Sequence, residues 1–316
     1  MGFKGVTLRG LEVFEALAAT GSVAEAAART GLSAPAVSQQ LRNLEAALGT
    51  ALVDHARRPM QLTPAGRHFL PRAREVLSQL RLAQSEITMM DLSGLTTLAL
   101  GLIDDFDSDL TPRLATILAE NMARCRFRMV TAPSHEITQA VAERRLDLGV
   151  AARPGTPPEG LAERPLVRDP FILVTPRGPQ EGQAALGRLP FLRYDRTQLI
   201  GRTIEAHLRS EGAEYPERFE IGAHQALMAL VARGAGWAIT TPLGYMRAAR
   251  LHDRIAAHPL PFAPLSRTIS LFAGADWASP VPEDIARTIR DLVETQVVGP
   301  ARAQLPWLEG ALRTLG

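Results

Sequence analysis

Residues 31–45, GLSAPAVSQQLRNLE, carry side chains whose types suit the recognition of base pairs. A glutamine amide can bond bidentately to adenine, a serine hydroxyl can bond either class of base, and alanine or proline can contact the thymine methyl group. Such groups at the start of a helix fit the major groove. The stretch therefore predicts DNA contacts at five positions: Ala34, Pro35, Ser38, Gln39 and Arg42.

A helix-turn-helix is the element that would position those side chains. Apolar residues at intervals of three and four predict a first helix over residues 8–18, and the spacing of Ser22 and Glu25 predicts a capped second helix. Gly31 ends the second helix, and Ser33 followed by Pro35 begins the third. On this pattern alone, a plain three-helix bundle with a polar outer face remains an alternative.

Residues 51–70, ALVDHARRPMQLTPAGRHFL, favour the DNA-binding interpretation over the bundle. They predict a short strand, a tight turn around Arg57, Arg58 and Pro59, and a returning strand through Leu62. This is the pattern of a wing, and paired arginines at its tip suit a phosphate or a narrow minor groove.

Residues 8–66 resemble the LysR-type transcriptional regulators. The residues that carry the resemblance are Gly21-Ser22, Ala26-Ala27, Pro35-Ala36-Val37-Ser38, Gln40-Leu41, Leu44-Glu45, Leu48-Gly49 and Leu62-Thr63-Pro64-Ala65-Gly66. The resemblance implies base contacts at Ala34, Pro35, Ser38 and Gln39, and wing contacts at Arg57 and Arg58. The chain departs from the family where Ala34 replaces a usual glutamine, and where Val53 and His55 replace a usual phenylalanine and arginine. A phosphate contact at His55 is therefore expected to be weakened or pH-dependent.

Residues 63–90 predict a long one-sided helix, because apolar residues repeat at threes and fours from Phe69 to Ile87. A helix of this kind has no local core to cover, so pairing with a second copy is expected, and Pro71 should kink the helix or reset its start. The resemblance likewise implies a homodimer through this linker helix and assembly into a tetramer. RNA polymerase is a further partner that it allows.

From residue 98 onward, segments typical of strands and helices alternate, which predicts an α/β fold with a parallel sheet and crossover helices. The resemblance implies a two-subdomain fold like that of the periplasmic binding proteins. The expected domains are 1–62, a winged helix-turn-helix; 63–90, the linker helix; 91–163 with 268–297, effector-binding subdomain 1; 164–267, subdomain 2; and 298–316, a tail with a short surface helix.

The ends of the predicted strands indicate where a small-molecule effector should bind, because helix N-termini meet the carboxyl ends of strands there. The candidate effector-binding residues are Ile103, Asp104, Asp105, Ser134, His135, Tyr194, Thr203, His224, Thr240 and Thr241. By resemblance, the hydroxyl of Ser134 caps its helix and touches the effector; simple capping is the alternative.

The stretch LIDDFDSD places four carboxylates within six residues: Asp104, Asp105, Asp107 and Asp109. One interpretation is that Asp104 or Asp105 lines the pocket and disfavours simple anionic effectors. The other is a solvated helix start, because carboxylates favour that end of the helix dipole. A metal site is the weaker hypothesis, since the spacing lacks a turn glycine.

Composition and motif searches point away from an enzyme. The chain lacks the G-x-S-x-G, H-E-x-x-H, P-loop and G-x-G-x-x-G patterns, and its single cysteine, Cys125, excludes an internal disulfide. Residues 1–90 contain ten basic and seven acidic residues, and this net positive charge indicates that the N-terminal part binds phosphates. Without an apolar leader or an apolar run of about 18 residues, a cytoplasmic location is expected, with no cofactor and no metal. We therefore predict an effector-modulated, DNA-binding transcriptional regulator; the alternative is a cytoplasmic small-molecule-binding α/β protein without DNA binding.

Overall fold

The computed structural model describes residues 5–57, 59–88, 96–107, 109–155, 159–179, 181–216, 218–275, 277 and 280–316. The chain divides into two compact units, residues 1–84 and 85–316. No helix in the described part is long and apolar enough to cross a bilayer.

The first unit contains the three predicted helices: α1 (Leu8–Thr20), α2 (Val23–Thr30) and α3 (Ala34–Leu48). The hydroxyls of Ser22 and Ser33 accept hydrogen bonds from backbone N–H groups three residues on, so they cap α2 and α3. Gly31 has a φ of 67°, a left-handed conformation that glycine adopts readily and that ends α2. The predicted helix starts and stops are therefore confirmed.

The wing follows α3, with β1 (Val53–Asp54) antiparallel to β2 (Gln61–Leu62). Next, α4 (Pro64–Thr88) runs through Pro71 without interruption, so the helix start is not reset there. A cluster of buried apolar side chains holds this unit together, among them Phe14, Val37, Leu41, Leu44, Leu52 and Leu77.

The second unit has two lobes. The first lobe, residues 96–170 and 266–316, is built on a six-stranded sheet in the order β13-β6-β12-β5-β3-β4. Its strands are β3 (Thr97–Leu102), β4 (Arg126–Thr131), β5 (Leu148–Ala152), β6 (Leu161–Pro170), β12 (Ser266–Gly274) and β13 (Arg313–Thr314). Its helices are α5 (Leu110–Asn121), α6 (Ser134–Ala142), α10 (Val281–Val293) and α11 (Gly299–Gln304).

The second lobe, residues 171–265, holds two smaller sheets, ordered β10-β7-β11 and β8-β9. Its strands are β7 (Ile172–Pro176), β8 (Leu192–Tyr194), β9 (Phe219–Ile221), β10 (Ala238–Thr240) and β11 (Ile255–Pro259). Its helices are α7 (Leu199–Ser210), α8 (His224–Ala232) and α9 (Pro242–Arg247). The predicted fold class, a winged helix-turn-helix followed by a two-lobed α/β unit, is confirmed.

The six-stranded sheet is mixed rather than wholly parallel, the β10-β7-β11 sheet is antiparallel, and β8 pairs parallel with β9. The predicted β-α-β alternation gives the parallel pairs of β3 with β4 and of β3 with β5. By contrast, β6 and β12 carry the chain out of the first lobe and back, so they pair antiparallel along nine positions. Their pairing extends to Pro170 and Ser266, so residues 164–170 lie in the sheet of the first lobe.

Candidate nucleic-acid interface and lobe junction

The N-terminal turns of α3 present the side chains that the sequence singled out for base contacts. Ala34, Pro35, Gln39 and Arg42 are exposed, and Ser38 is half-buried. The hydroxyl of Ser38 donates to the carbonyl of Ala34 at 3.1 Å, which leaves its lone pairs as acceptors. Buried Val37, Leu41 and Leu44 hold the opposite face of the helix in the core.

A chain of side-chain hydrogen bonds orients the Gln39 amide. Arg42 Nη2 donates to Gln39 Oε1, and Gln39 Nε2 donates to Asn43 Oδ1, each at 2.8 Å. One N–H and one lone pair of the Gln39 amide remain for a base edge. Sequence reasoning missed Asn43, although its spacing of four residues from Gln39 was the available signal.

The wing has its own anchoring contacts. Arg57 Nε donates to Asp54 Oδ2 at 3.1 Å, and Arg57 Nη1 donates to Gln61 Oε1 at 2.9 Å. Arg58 lies outside the described residues. His55 Nε2 lies 3.0 Å from Glu45 Oε2, while Glu45 Oε1 accepts from the amides of residues 52 and 53. His55 thus faces the carboxylate that fixes the base of the wing.

In the second unit, a buried arginine joins carboxylates from different elements at the junction of the two lobes. Arg267 Nη2 donates to Asp105 Oδ2 at 2.7 Å and to Thr241 Oγ1 at 3.0 Å. Arg267 Nε donates to Asp169 Oδ2 at 2.9 Å. Asp169 is fully buried, and its second oxygen accepts from the amide of Leu243 at 3.4 Å. This lobe-junction network ties strands β6 and β12 to the N-terminus of α9.

Two carboxylates sharing one guanidinium titrate differently. Burial raises the pKa of Asp169 to about 6, since the opposing effect of Arg267 is offset by the negative charge of Asp105. Burial also acts to raise the pKa of Asp105, but its interaction with Arg267 outweighs this and holds the pKa below the ordinary value. Asp105 is therefore the ionised partner of Arg267, and Asp169 carries the surplus negative charge.

Asp104 makes an ion pair between the lobes, because Arg247 Nη1 of α9 in the second lobe donates to Asp104 Oδ2 in the first lobe at 3.2 Å. The Asp104 side chain is 51% exposed, whereas that of Arg247 is 11% exposed. Partial burial and the neighbouring Asp105 charge raise the pKa of Asp104 despite the arginine. Asp104 is thus the member of the junction that solvent reaches.

Tyr194, His224 and Thr240 are buried together and are joined by hydrogen bonds through the Tyr194 hydroxyl. His224 Nε2 is 2.7 Å from the carbonyl of Gly244, which can only accept, so Nε2 carries the proton. His224 Nδ1 then accepts from the Tyr194 hydroxyl at 2.5 Å, and Thr240 Oγ1 lies 2.9 Å from that hydroxyl. Burial lowers the pKa of His224, which favours this neutral tautomer. Through the carbonyl of Gly244, these residues are bonded to α9, which takes part in the junction.

The remaining predicted effector residues take different positions. Ser134 does not cap α6: its hydroxyl accepts from the amide of Ala152 at 3.0 Å, and Pro133 precedes the helix, so the predicted capping is wrong. His135 is exposed. Thr203 lies in the second turn of α7, which begins at Leu199 rather than at Thr203, and its hydroxyl donates to the Leu199 carbonyl. Ile103 is buried in the core at 3% exposure.

The charged partners of the aspartates were missed from sequence. Arg267 lies 162 residues from Asp105 and 98 from Asp169 in the chain. No local spacing links such distant residues, so only the fold reveals the network.

Comparison with known proteins decides the family. The family model described as "Bacterial regulatory helix-turn-helix protein, lysR family" matches residues 8–67, and "LysR substrate binding domain" matches residues 94–293. The chain belongs to the LysR family. It is a DNA-binding transcriptional regulator with an effector-binding domain.

Among curated relatives of this LysR-family protein is the HTH-type transcriptional regulator IlvR of Caulobacter vibrioides. The two are 27% identical over 256 residues, covering 78% of this chain and 86% of IlvR. A probable hydrogen peroxide-inducible genes activator of Mycobacterium xenopi is 33% identical over 174 residues, covering 54% of this chain and 90% of that protein.

Solved structures support the fold. A hydrogen peroxide-bound cysteine-to-serine mutant of Corynebacterium glutamicum OxyR has a TM-score of 0.55 and 22% identity, covering 94% of this chain and 96% of that chain. Full-length BenM has a TM-score of 0.54 and 21% identity, covering 92% of this chain and 97% of BenM.

Proposed function

We propose that the exposed N-terminal turns of α3 read the operator sequence. The residues in this role are Ala34, Pro35, Ser38, Gln39 and Arg42, with Arg57 and Arg58 of the wing on the DNA backbone. The support is the Gln39 amide, which its neighbours orient while one donor and one acceptor stay available. Ala34 brings a methyl group, so a hydrophobic contact with thymine is expected at that position.

The test is DNA binding by the full-length protein to its own upstream region. Gln39→Ala should lose about 1–3 kcal/mol of discrimination against altered bases. Arg57→Ala should weaken binding to all sequences and reduce the salt dependence. Glu12→Ala, on the exposed side of α1, is the matched control. Unchanged sequence preference in Gln39→Ala would remove Gln39 from base recognition.

The lobe junction is the proposed effector site. Of the candidate residues, Asp104 forms an ion pair across it with Arg247. Asp105 pairs with Arg267 within the first lobe, and Thr241 of the second lobe accepts from the same arginine. Tyr194, His224 and Thr240 are hydrogen-bonded together and reach α9 through Gly244, and Ser134 and His135 begin a helix in the first lobe. The cross-lobe pair of Asp104 with Arg247 carries the proposal, because a ligand that replaces it changes how the lobes are held together.

The charge of this site indicates the class of effector. Among the described residues, the carboxylates of Asp104, Asp105 and Asp169 bond two guanidinium groups, those of Arg247 and Arg267, which gives one more carboxylate than guanidinium. A ligand with an ammonium or amidinium group would balance that surplus, and a carboxylate on the same ligand could bind Arg247. Amines and zwitterions are therefore expected to bind better than simple carboxylates.

Thermal melting of the full-length protein tests this site. We expect matched amines or zwitterions to raise the melting temperature of the wild type and not that of Asp104→Ala, with Asp253→Ala as an exposed control. Stabilisation by simple carboxylates alone, retained in Asp104→Ala, would contradict the assignment.

For the assembled protein, residues 1–62 would bind DNA and residues 63–90 would dimerise. The two lobes, residues 96–170 with 266–316 and residues 171–265, would form the effector-binding subdomains. Effector binding would shift the population between arrangements of a dimer of dimers and alter half-site spacing or DNA bending. A DNA target supports a cytoplasmic location, and RNA polymerase would be the partner at the promoter. We propose no catalytic activity, because the carboxylates and guanidinium groups of the lobe junction form ion pairs with one another and so are not poised as acids or bases.

A peroxide-sensing role, suggested by the names of some relatives, has weaker support. Cys125 is the single cysteine, so no disulfide can form within one chain. Burial and the charge of Asp147 raise the pKa of its thiol, which lowers the fraction of reactive thiolate.

A further inference from the structure

The C-terminal strap, residues 294–316, begins where the match to the family model ends at residue 293. It enters through one π-helical turn, Glu294–Val298, in which the amide of Gly299 bonds to the carbonyl of Glu294. Pro300 follows and has no N–H to donate, so the regular α-helical ladder cannot continue unchanged at this point.

One part of the strap is built into the first lobe. Strand β13 pairs antiparallel with the outer edge of β6, and the amide of Leu315 donates to the carbonyl of Leu166 at 2.8 Å. Thr314 Oγ1 donates to Glu294 Oε2 at 3.0 Å, which closes the strap on its own start. Three leucines of the strap are buried: Leu305, Leu308 and Leu312.

Another part reaches the second lobe. Gln304 Nε2 lies 3.0 Å from His252 Nδ1, and His252 Nε2 lies 2.9 Å from the carbonyl of Tyr245. A carbonyl only accepts, so Nε2 is the donor and Nδ1 accepts from the Gln304 amide. The His252 ring also stacks on the Tyr245 ring, with centroids 4.1 Å apart and planes 9° apart.

Tyr245 belongs to α9, the helix that serves the lobe junction. Thr241 precedes α9 and bonds Arg267, the amide of Leu243 bonds Asp169, and Arg247 pairs with Asp104. The junction network thus holds α9 on one side, and His252 links it to the strap through Tyr245. The strap itself is part of the first-lobe sheet, so the chain from β6 through Gln304 and His252 is a second connection between the lobes.

We propose that the C-terminal strap sets the position of α9 relative to the first lobe and thereby governs how far the lobes can separate. Gln304 and His252 are positioning residues: they act on Arg247 and Thr241 through Tyr245. The contacts of the strap are all made by residues of this chain, so the proposal does not depend on which effector binds or on whether the junction is the effector site.

Hydrogen exchange of the ligand-free, full-length protein tests the strap. In Gln304→Ala, we expect the amides of residues 242–252 to exchange about two- to tenfold faster, the range that the loss of one hydrogen bond implies. Strands β3 and β5 of the first lobe should keep their protection. The matched control is Arg313→Ala, because Arg313 bonds the carbonyl of Gly310 within the strap.

A double-mutant cycle separates this coupling from general loosening. His252→Phe keeps an aromatic ring beside Tyr245 but cannot accept from Gln304, so α9 should exchange faster in this variant as well. Adding Gln304→Ala to His252→Phe should then change the exchange of α9 no further. Unchanged exchange of α9 in Gln304→Ala, or full additivity of the two substitutions, would overturn the proposal. Deletion of the strap is unsuitable as a test, since it would expose the apolar surface that three buried leucines of the strap now cover.

Discussion

Asp169→Asn should stabilise the effector-binding unit near neutral pH. Asp169 is fully buried, and its pKa is raised to about 6 from 3.8. A carboxyl whose pKa is higher in the folded state binds a proton more tightly there than in the unfolded state. Its contribution to the free energy of unfolding therefore falls as pH rises from about 4 to 6. Each unit of pKa difference between the folded and unfolded states is worth about 1.36 kcal/mol. The wild type therefore loses about 3 kcal/mol of unfolding free energy by pH 7.

The asparagine has the shape of the protonated acid, and its single amide oxygen can keep the 2.9 Å bond from Arg267 Nε. The longer 3.4 Å bond from the Leu243 amide is then lost, so the gain from removing the charge is an upper limit. At pH 7.5 the variant should therefore gain up to about 3 kcal/mol over the wild type, and at pH 4 the difference should vanish. Arg267 would still pair with Asp105, so no buried cation would be left alone.

Urea unfolding at several pH values, followed by tryptophan fluorescence, measures this effect. All three tryptophans lie in the second unit, at positions 237, 277 and 307, so the signal reports that unit alone. Glu309→Gln, at an exposed position of the C-terminal strap, is the control. Equal pH slopes for the wild type and Asp169→Asn would refute the reasoning, as would a lower stability of the variant at pH 7.5.

Three further substitutions test other contacts. Arg267→Ala should cost about 3–5 kcal/mol of unfolding free energy, because two buried carboxylates lose their cation; the same urea assay measures it. Gly244→Ala should cost about 1–3 kcal/mol, since an added Cβ would lie 2.6 Å from His224 Cε1, and thermal melting checks it. Cys125→Ser should leave DNA affinity unchanged with and without hydrogen peroxide in a gel-shift titration, and a peroxide response confined to the wild type would contradict this.

The elements of the first unit could be predicted because their signals are local. Ser22, Gly31 and Ser33 act on amides and carbonyls within a few residues, so sequence spacing is enough to place helix ends. The same reasoning misplaced the start of α7, because Gln198 precedes it with no side-chain capping bond. Where no cap marks a helix end, the pattern of apolar residues leaves several turns equally acceptable.

The sequence indicated the acidic residues of the lobe junction but not their arginine partners. Asp104 and Asp105 stand out as neighbouring acids at a strand end, and strand ends are where a sheet presents groups to a ligand. Their structural role depends on Arg247 of α9 and Arg267 of β12, which lie more than a hundred residues later in the chain and form ion pairs with them. Charge composition alone could not separate a solvated acidic turn from one half of an ion-pair network.

The distribution of ion pairs gives the junction a built-in asymmetry. Both side chains of the Arg267–Asp105 pair are buried, so breaking the pair would leave two unpaired charges without access to water. The pair of Arg247 with Asp104 has one exposed member, so water or a ligand can replace Asp104 at lower cost. Opening should therefore begin at Asp104 while Arg267 keeps the crossing strands together. Arg247 lies on α9, and the C-terminal strap restrains α9 through His252, so the strap resists the first step of that opening.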